Sequence, residues 1–433
     1  MNFQESNDYL LSLGNEVSAM KLGLENIRKL LAQLGNPQNN YLKVQVAGTN
    51  GKGSVCAFLN SICVTAGIRT GMYTSPHLIS ITERIQIDGL EIDEDDFAEL
   101  ATRVRETCER LAVDGDIDNI PTFFEQVTAI ALVAFADANA EMAILETGLG
   151  GRLDATTAAN AEIAAITEID LDHQNYLGET LAEIAAEKAA IIHEGSRVVA
   201  ARQNKAVERV IAGRCAEFGI VPVWSTTEIA TNTWEHIDYL AHTHSFRTER
   251  GYYHGIDPLM LGRHQARNAA VALGVAEILD EEYFDISQIE ICLGLETAVH
   301  PGRLEFVDGI LLDGAHTESG ARALKEFLDE SIKRPIVIVF GAMQDKNVSE
   351  IASILSPGAA KLILTRPDNS RAMSATEVAE QLPTTLDRSR VILTSNVREA
   401  IQKAREVSSG DHLILVTGSL YLVGEVKRLL RPV

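Results

Sequence analysis

At 433 residues with 46% hydrophobic content, the chain is too long for one compact core and is expected to fold as two or three domains. Its 38 Lys and Arg against 61 Asp and Glu give a net charge of −23, which argues against nucleic acid or an anionic membrane as a partner, since both need a basic footprint. Five cysteines without C-x-x-C or metal spacing, no run near the ~20 apolar residues of a membrane span, and residues 1–5 unlike a signal peptide lead to the expectation of a soluble cytoplasmic protein.

Helical periodicity over 5–34, carried by Leu24, Ile27, Leu30, Leu31 and Leu34, stops at Gly35 with Pro37 beyond. An apolar strand begun at Tyr41 then enters Val46-Ala47-Gly48-Thr49-Asn50-Gly51-Lys52-Gly53-Ser54, and a helical pattern runs over 54–66. Glycines let the backbone approach a ligand closely, and the N–H groups of such a turn and helix start suit phosphate oxygens. Lys52 adds a positive charge, and Thr49 or Ser54 can offer a hydroxyl to phosphate or Mg²⁺. The stretch departs from G-x-x-x-x-G-K-[ST], because Val46 stands five before Gly51 and Gly53 follows Lys52. A strand at 70–74 leads into Thr74-Ser75-Pro76-His77; 83–87 alternates as a strand, and Asp88-Gly89 predicts a tight turn. Residues 93–111 read as an amphipathic helix capped by Asp93 or Asp95, and 123–138 as a buried helix.

Apolar runs at 142–145, 163–167 and 197–201 alternate with helices, the pattern of a parallel sheet covered on both faces. Residues 221–257 weaken to short hairpin pieces, in which His242 and His244 read as surface residues without supporting carboxylates. Helices at 264–279 and 286–295 precede a domain boundary, placed so that residues 1–297 and 298–433 form the two parts. Beyond it, runs at 310–312, 336–340, 361–364, 391–393 and 413–416 predict a second parallel unit of five strands.

Ligands of open parallel sheets sit beyond the carboxyl ends of strands, so polar residues directly after apolar runs are the candidates. Glu146, opening Glu146-Thr147-Gly148-Leu149-Gly150-Gly151-Arg152-Leu153-Asp154, suits a Mg²⁺ carrying phosphates; the alternative is a strand-end Glu paired with Arg152. His173, in Asp170-Leu171-Asp172-His173, reads equally as a ligand at the same edge or as a hydrogen-bonded structural residue. Lys188 falls on the apolar stripe Leu181, Ile184, Ile191 of a helix opened by the capping box Thr180/Glu183. A core-facing Lys must be paired, deprotonated or modified, a carbamate on Nζ being one solution, unless it reaches out to solvent. In the second unit Asp313 begins Asp313-Gly314-Ala315-His316, and Arg303, at the junction, can reach phosphates or form an interdomain salt bridge.

These motifs, with Glu187-Lys188-Ala189 and Pro301-Gly302-Arg303-Leu304-Glu305, occur in an order that resembles bacterial folylpolyglutamate synthase/dihydrofolate synthase of the Mur ligase superfamily, from about Tyr9 to the end. The resemblance implies an α/β fold: an N-terminal P-loop-type, mostly parallel sheet with helices on both faces, plus a smaller C-terminal Rossmann-like domain. It implies an ATP-dependent amide ligase in which a substrate carboxylate takes the γ-phosphoryl group and L-glutamate attacks the acyl phosphate. By position, Thr49, Asn50, Gly51, Lys52, Gly53 and Ser54 would hold the triphosphate, Asn268, Arg303 and Asp313 would contact ATP, and His316 would lie near the phosphates. Ser75, Glu146 and His173 would hold Mg²⁺, and a carbamylated Lys188 would help with a second. Lys52, Lys188, His173 and His316 would form the catalytic set. Thr122, Phe123, Phe124 and Glu125 with Leu153, Asp154 and Ala155 would take the pterin, the aromatic rings offering faces to a flat ligand. The implied substrates are dihydropteroate, reduced folates and L-glutamate, and the implied state is a monomer. Thr157 and Thr317 stand where Asn is usual, and Asp170 where Gly is usual. A ligase for UDP-muramoyl peptides is disfavoured, because only about 40 residues precede the glycine turn. An ATPase switch is disfavoured by the second glycine-rich turn and by a Lys on an apolar stripe.

Overall fold

The computed structural model describes residues 1–14, 23–226, 228–235, 240–408 and 410–430. By its contacts the chain divides into two units: Met1–Ile229, Ser245–Ile256 and Arg267–Ala298 form the first, and Ala230–His244, Asp257–Ala266 and Val299–Val433 the second.

In the first unit β1 (Leu42–Ala47), β2 (Thr70–Tyr73), β3 (Ile85–Ile87), β4 (Leu90–Glu91), β5 (Met142–Glu146), β6 (Ile163–Ile166), β7 (Arg197–Ala200) and β8 (Val223–Trp224) make one sheet in the order β4-β3-β2-β5-β1-β6-β7-β8. Its strands pair in parallel except at β3 and β4, which are antiparallel at one edge. Central strands of a parallel sheet are buried on both faces, hence the continuous apolar runs: Val44, Val46, Ile144, Leu145 and Ile166 are all fully buried. One face packs on the helices Phe3–Ser12, Glu25–Gln33, Glu94–Val113 and Phe123–Asp137 and, beside them on that same face, on Leu181–Ala189 and Lys205–Glu217; the other face packs on Lys52–Thr65 and Arg263–Glu282.

Local chemistry sets the ends of these elements. The expected helix over 5–34 is two helices, Phe3–Ser12 and Glu25–Gln33, while 15–22 lie outside the described residues. Asp93 caps Glu94–Val113 by accepting the Asp96 N–H at 2.8 Å. Asp88 and Gly89, both at positive φ (52° and 78°), make the two-residue turn between β3 and β4. The expected strand over 83–87 begins only at Ile85, because 81–84 form a 3₁₀ turn. The Glu83 carboxylate fixes that turn by accepting the N–H groups of Leu78, Ile79 and Ser80 at 2.7–2.9 Å. The helix expected over 54–66 runs Lys52–Thr65, so it starts inside the glycine motif itself.

β9 (Glu228–Glu235), β10 (Leu240–Arg247) and β11 (Tyr252–Ile256) form a three-stranded sheet in the order β11-β10-β9. His244 is not a surface residue: it is 6% exposed, and the Asp257 carboxylate interacts with it. The side chain of His242 lies outside the described residues.

The second unit holds β12 (Glu305–Val307), β13 (Ile310–Leu312), β14 (Ile336–Phe340), β15 (Ala359–Leu364), β16 (Val391–Leu393) and β17 (Leu413–Thr417), in the order β12-β13-β17-β14-β15-β16. Five strands are parallel, as expected; β12 is an added antiparallel edge strand paired with β13. Its three half-buried residues carry no apolar run by which to find it. Among the described residues no helix is long and apolar enough to cross a membrane. All five thiols are free; Cys56, Cys63, Cys108 and Cys215 are buried.

Candidate active site

β1 lies between β5 and β6 and delivers the glycine turn to the middle of the sheet's carboxyl edge. The chain after β6 supports that turn. Thr167 Oγ1 donates to the Asn50 carbonyl at 2.7 Å, and the Thr49 N–H donates to the Glu168 carbonyl at 2.8 Å. The Thr49 hydroxyl both donates to the Asp170 carbonyl and accepts the Asp170 N–H, each at 3.0 Å, so Asp170 is bound through its backbone. A Cβ at Gly48 would collide with Thr167 Oγ1, and one at Gly51 (φ 83°) with Asn268 Oδ1; both positions therefore require glycine. Asn268 is thus seated directly on the turn. Lys52, partly exposed, opens the following helix and donates to the Thr49 carbonyl at 3.2 Å. Ser54 is buried in the helix's first turn. Unpaired N–H groups at a helix start, with a lysine among them, make an anion site.

Two further buried side chains stand at this edge of the sheet. Lys188 is 5% exposed and donates from Nζ to the Gly48 carbonyl at 2.8 Å, so it does not reach solvent. Burial, reinforced by the Lys52 charge and opposed by Asp172 and Asp154, pushes its amine down to about 7. Glu146, 5% exposed at the end of β5, accepts the Ser75 N–H at 2.9 Å. Arg152 pairs at 2.8 Å with Glu187 rather than with Glu146. His173 follows in a left-handed conformation (φ 50°), its Nε2 3.6 Å from Asp172 Oδ2.

The aromatic side of the first unit is built on a helix start. Thr122 and Glu125 cap Phe123–Asp137 reciprocally, the Thr122 N–H and hydroxyl both donating to Glu125 Oε2 at 2.8 Å. Phe123 is buried, with the Arg84 guanidinium 5.4 Å over its ring. Phe124 stays partly exposed, 6.0 Å from Tyr73 and close against Gly148. Asp154 is buried and accepts the Gly148 and Leu149 N–H groups at 2.9 Å, pinning the second glycine turn; Leu153 is exposed and Ala155 buried beside it. Burial raises the Asp154 carboxyl, and its hydrogen bonds from Thr156, Leu149 and Gly148 oppose that rise.

Arg303, Asp313 and His316 gather within the second unit. Asp313, buried at the end of β13, accepts the Leu304 and Ala315 N–H groups at 3.0 and 2.9 Å. Burial raises its carboxyl, opposed first by Arg303. His316 Nδ1 lies 2.8 Å from the Gly314 carbonyl, which can only accept, so Nδ1 carries a proton. Thr317 caps the helix Glu318–Ser331.

Among the described residues no three His, Cys, Asp or Glu side chains converge. What the edge offers a cation is the Glu146 carboxylate, with Ser75 beside it and His173 on the loop after β6. Few protein oxygens completed by water fit Mg²⁺, and do not fit a closed structural Zn²⁺ site. Sequence reasoning assigned no role to Thr167, to the Glu83 clamp, or to Arg84, whose Nε donates to His77 Nδ1 at 2.9 Å. For Thr167 the signal was present, since it is the first polar residue after an apolar run.

A glycine turn at the carboxyl edge of one mostly parallel sheet, followed by a second α/β unit, is the architecture of the Mur ligases. Residues 46–276 match the Mur ligase middle domain and 302–420 the Mur ligase glutamate ligase domain. The dihydrofolate synthase/folylpolyglutamate synthase of Bacillus subtilis is 34% identical over 418 residues, 95% of this chain and 96% of that protein. A Mycobacterium tuberculosis folylpolyglutamate synthase complexed with ADP superposes with a TM-score of 0.90 at 29% identity, covering 100% of this chain and 98% of that one. A bifunctional folylpolyglutamate synthase/dihydrofolate synthase with Mn, AMPPNP and L-glutamate bound gives 0.84 at 29%, covering 99% and 98%. The chain belongs to the folylpolyglutamate synthase/dihydrofolate synthase family.

Proposed function

We propose that the chain is a bifunctional member of this family of bacterial type, adding L-glutamate both to dihydropteroate and to the glutamate tail of reduced folates. The reaction is an ATP-dependent ligation. A carboxylate oxygen of the acceptor attacks the γ-phosphorus, ADP leaves, and the acyl phosphate is attacked at its carbonyl carbon by the amine of L-glutamate, releasing phosphate. A free carboxylate is a poor electrophile, so the protein's task is positioning and charge neutralisation.

The observation that carries the reading is the glycine turn with Lys52 in it and the buried Lys188 Nζ bonded to its Gly48 carbonyl. A nucleotide switch has no use for a buried amine. Lys52 and the helix N–H groups neutralise the triphosphate, with Thr49, Asn50, Gly51, Gly53 and Ser54 shaping the cradle and Asn268 set against it. Mg²⁺ held by Ser75, Glu146 and His173 would supply further neutralisation. Lys188 would carry the carbamate that serves a second Mg²⁺, since a buried amine lowered to about 7 is substantially neutral and nucleophilic toward CO₂. Phe124 and the turn ending in Asp154 form the seat for the pterin, with Thr122, Phe123, Glu125, Leu153 and Ala155 around it. Arg303, Asp313 and His316 serve ATP and its phosphates from the part after residue 297. The working state is a cytoplasmic monomer.

The test is ADP release with L-glutamate present and dihydropteroate, tetrahydrofolate or a UDP-muramoyl peptide as acceptor. Turnover with both pterin compounds supports the proposal, and tetrahydrofolate alone reduces it to a folylpolyglutamate synthase. Turnover only with the UDP compound, or equal turnover without acceptor, refutes it. Lys188→Ala is expected to abolish turnover.

A further inference from the structure

Gln45 lies in the middle of β1, 1% exposed, where the sequence otherwise reads as a buried apolar strand. Its Nε2 donates to Thr157 Oγ1 at 2.8 Å and to Thr156 Oγ1 at 2.9 Å, with Thr147 Oγ1 more distant at 3.3 Å. The two near hydroxyls have already committed their protons. Thr157 donates to the Gly151 carbonyl at 2.7 Å, and Thr156 donates to Asp154 Oδ1. Each retains only acceptor capacity, and the amide supplies the two hydrogens they lack. Asp154 in turn holds the Gly148 and Leu149 N–H groups, and Gly148 lies under Phe124. One buried amide on the strand that carries the phosphate turn thus latches both ends of the second glycine turn, at Gly151 and at Asp154.

We infer that Gln45 is a positioning residue that fixes the 148–157 turn, and through it the seat of the acceptor's flat ring. Thr157 is the acceptor through which the latch reaches Gly151. A network of this kind is coupled: removing either end leaves the other's polar group buried without its partner. The Gln45 amide's hydrogen bonds run to Thr147, Thr156 and Thr157, on the side of the second glycine turn, so the latch acts on the acceptor and not on ATP.

This inference rests on the ligase reading, and the experiment separates the two. Steady-state kinetics are measured for the wild type, Gln45→Leu, Thr157→Val and the double variant, with melting temperatures alongside. In each single variant the KM for the pterin acceptor is expected to rise about tenfold, as for one buried hydrogen bond lost, while the KM for ATP stays within about twofold. The double variant is expected to be no worse than the poorer single one, the mark of a shared network. Thr157→Val tests the same latch from a partly exposed position if Gln45→Leu folds poorly. Unchanged KM values with only a lower melting temperature would make Gln45 a structural strut and overturn the inference. An equal rise in the KM for ATP, or fully additive effects, would overturn it too. Absence of glutamate-dependent turnover in the wild type would overturn the ligase reading and this inference with it.

Discussion

Gly151→Ala probes the contact between the second glycine turn and the helix that carries Lys188. A Cβ at Gly151 would lie 2.6 Å from the Glu187 carbonyl oxygen, 2.8 Å from that of Lys188 and 3.1 Å from Ile191 Cγ2. Two of these are backbone atoms at a helix end, so no side-chain rotation relieves them; turn and helix must separate by roughly 0.5–1 Å to reach normal contact. The Arg152 N–H donates to the same Glu187 carbonyl at 3.0 Å and is stretched by that movement. Overpacking of about 1–3 kcal/mol plus about 1 kcal/mol for the hydrogen bond gives a loss of about 2–4 kcal/mol. For a chain of this size that is a melting temperature lower by roughly 2–5 °C. Because the displaced residue is Lys188, turnover is expected to fall on the order of 10- to 100-fold. Gly213→Ala is the control: it sits inside the helix Lys205–Glu217 with nothing within 4 Å of its Cβ. It should gain about 0.4–1 kcal/mol and leave turnover unchanged. Scanning calorimetry and ADP release on both variants decide the matter. Wild-type melting and turnover in Gly151→Ala would refute the packing described.

Lys188 is held at about 7 in the fold against 10.5 ordinarily. Between those values the unfolded chain binds the extra proton, so stability rises with pH; below pH 7 the burial cost is fully present. Urea unfolding in CO₂-free buffer should show Lys188→Met stabilising the chain more at pH 6.5 than at pH 9.5, by about 3 kcal/mol; an equal effect at both refutes the assignment. Lys52→Ala should lose turnover by about 10²–10³-fold with little change in melting temperature, since Nζ makes one long hydrogen bond in the fold. Retained turnover would remove Lys52 from the phosphate site.

The central strands were legible because burial on both faces writes itself as uninterrupted apolar runs, and the residues after them, Gly48, Glu146 and Asp313, stand at strand ends as expected. Lys188 was legible as a polar residue on an apolar stripe, and its burial follows from that placement. Other features have no local code. β12 is defined only by its pairing with β13, and Ile81–Arg84 turns because Glu83 gathers three N–H groups from residues before it. His244 is covered through Asp257, thirteen positions away, and periodicity does not register such a partner. Gln45 was hidden most thoroughly, since its partners lie more than a hundred residues ahead.

Cys56 lies in the first turns of the helix behind the glycine turn, fully buried, its thiol raised well above the ordinary value by burial and then by Glu146. A thiol that is both covered and protonated does not react with alkylating reagents until its surroundings open. Its labelling rate is therefore a clock for fluctuations of the helix Lys52–Thr65. A ligand that slows that clock has tightened this helix, which can be read without any catalytic turnover at all.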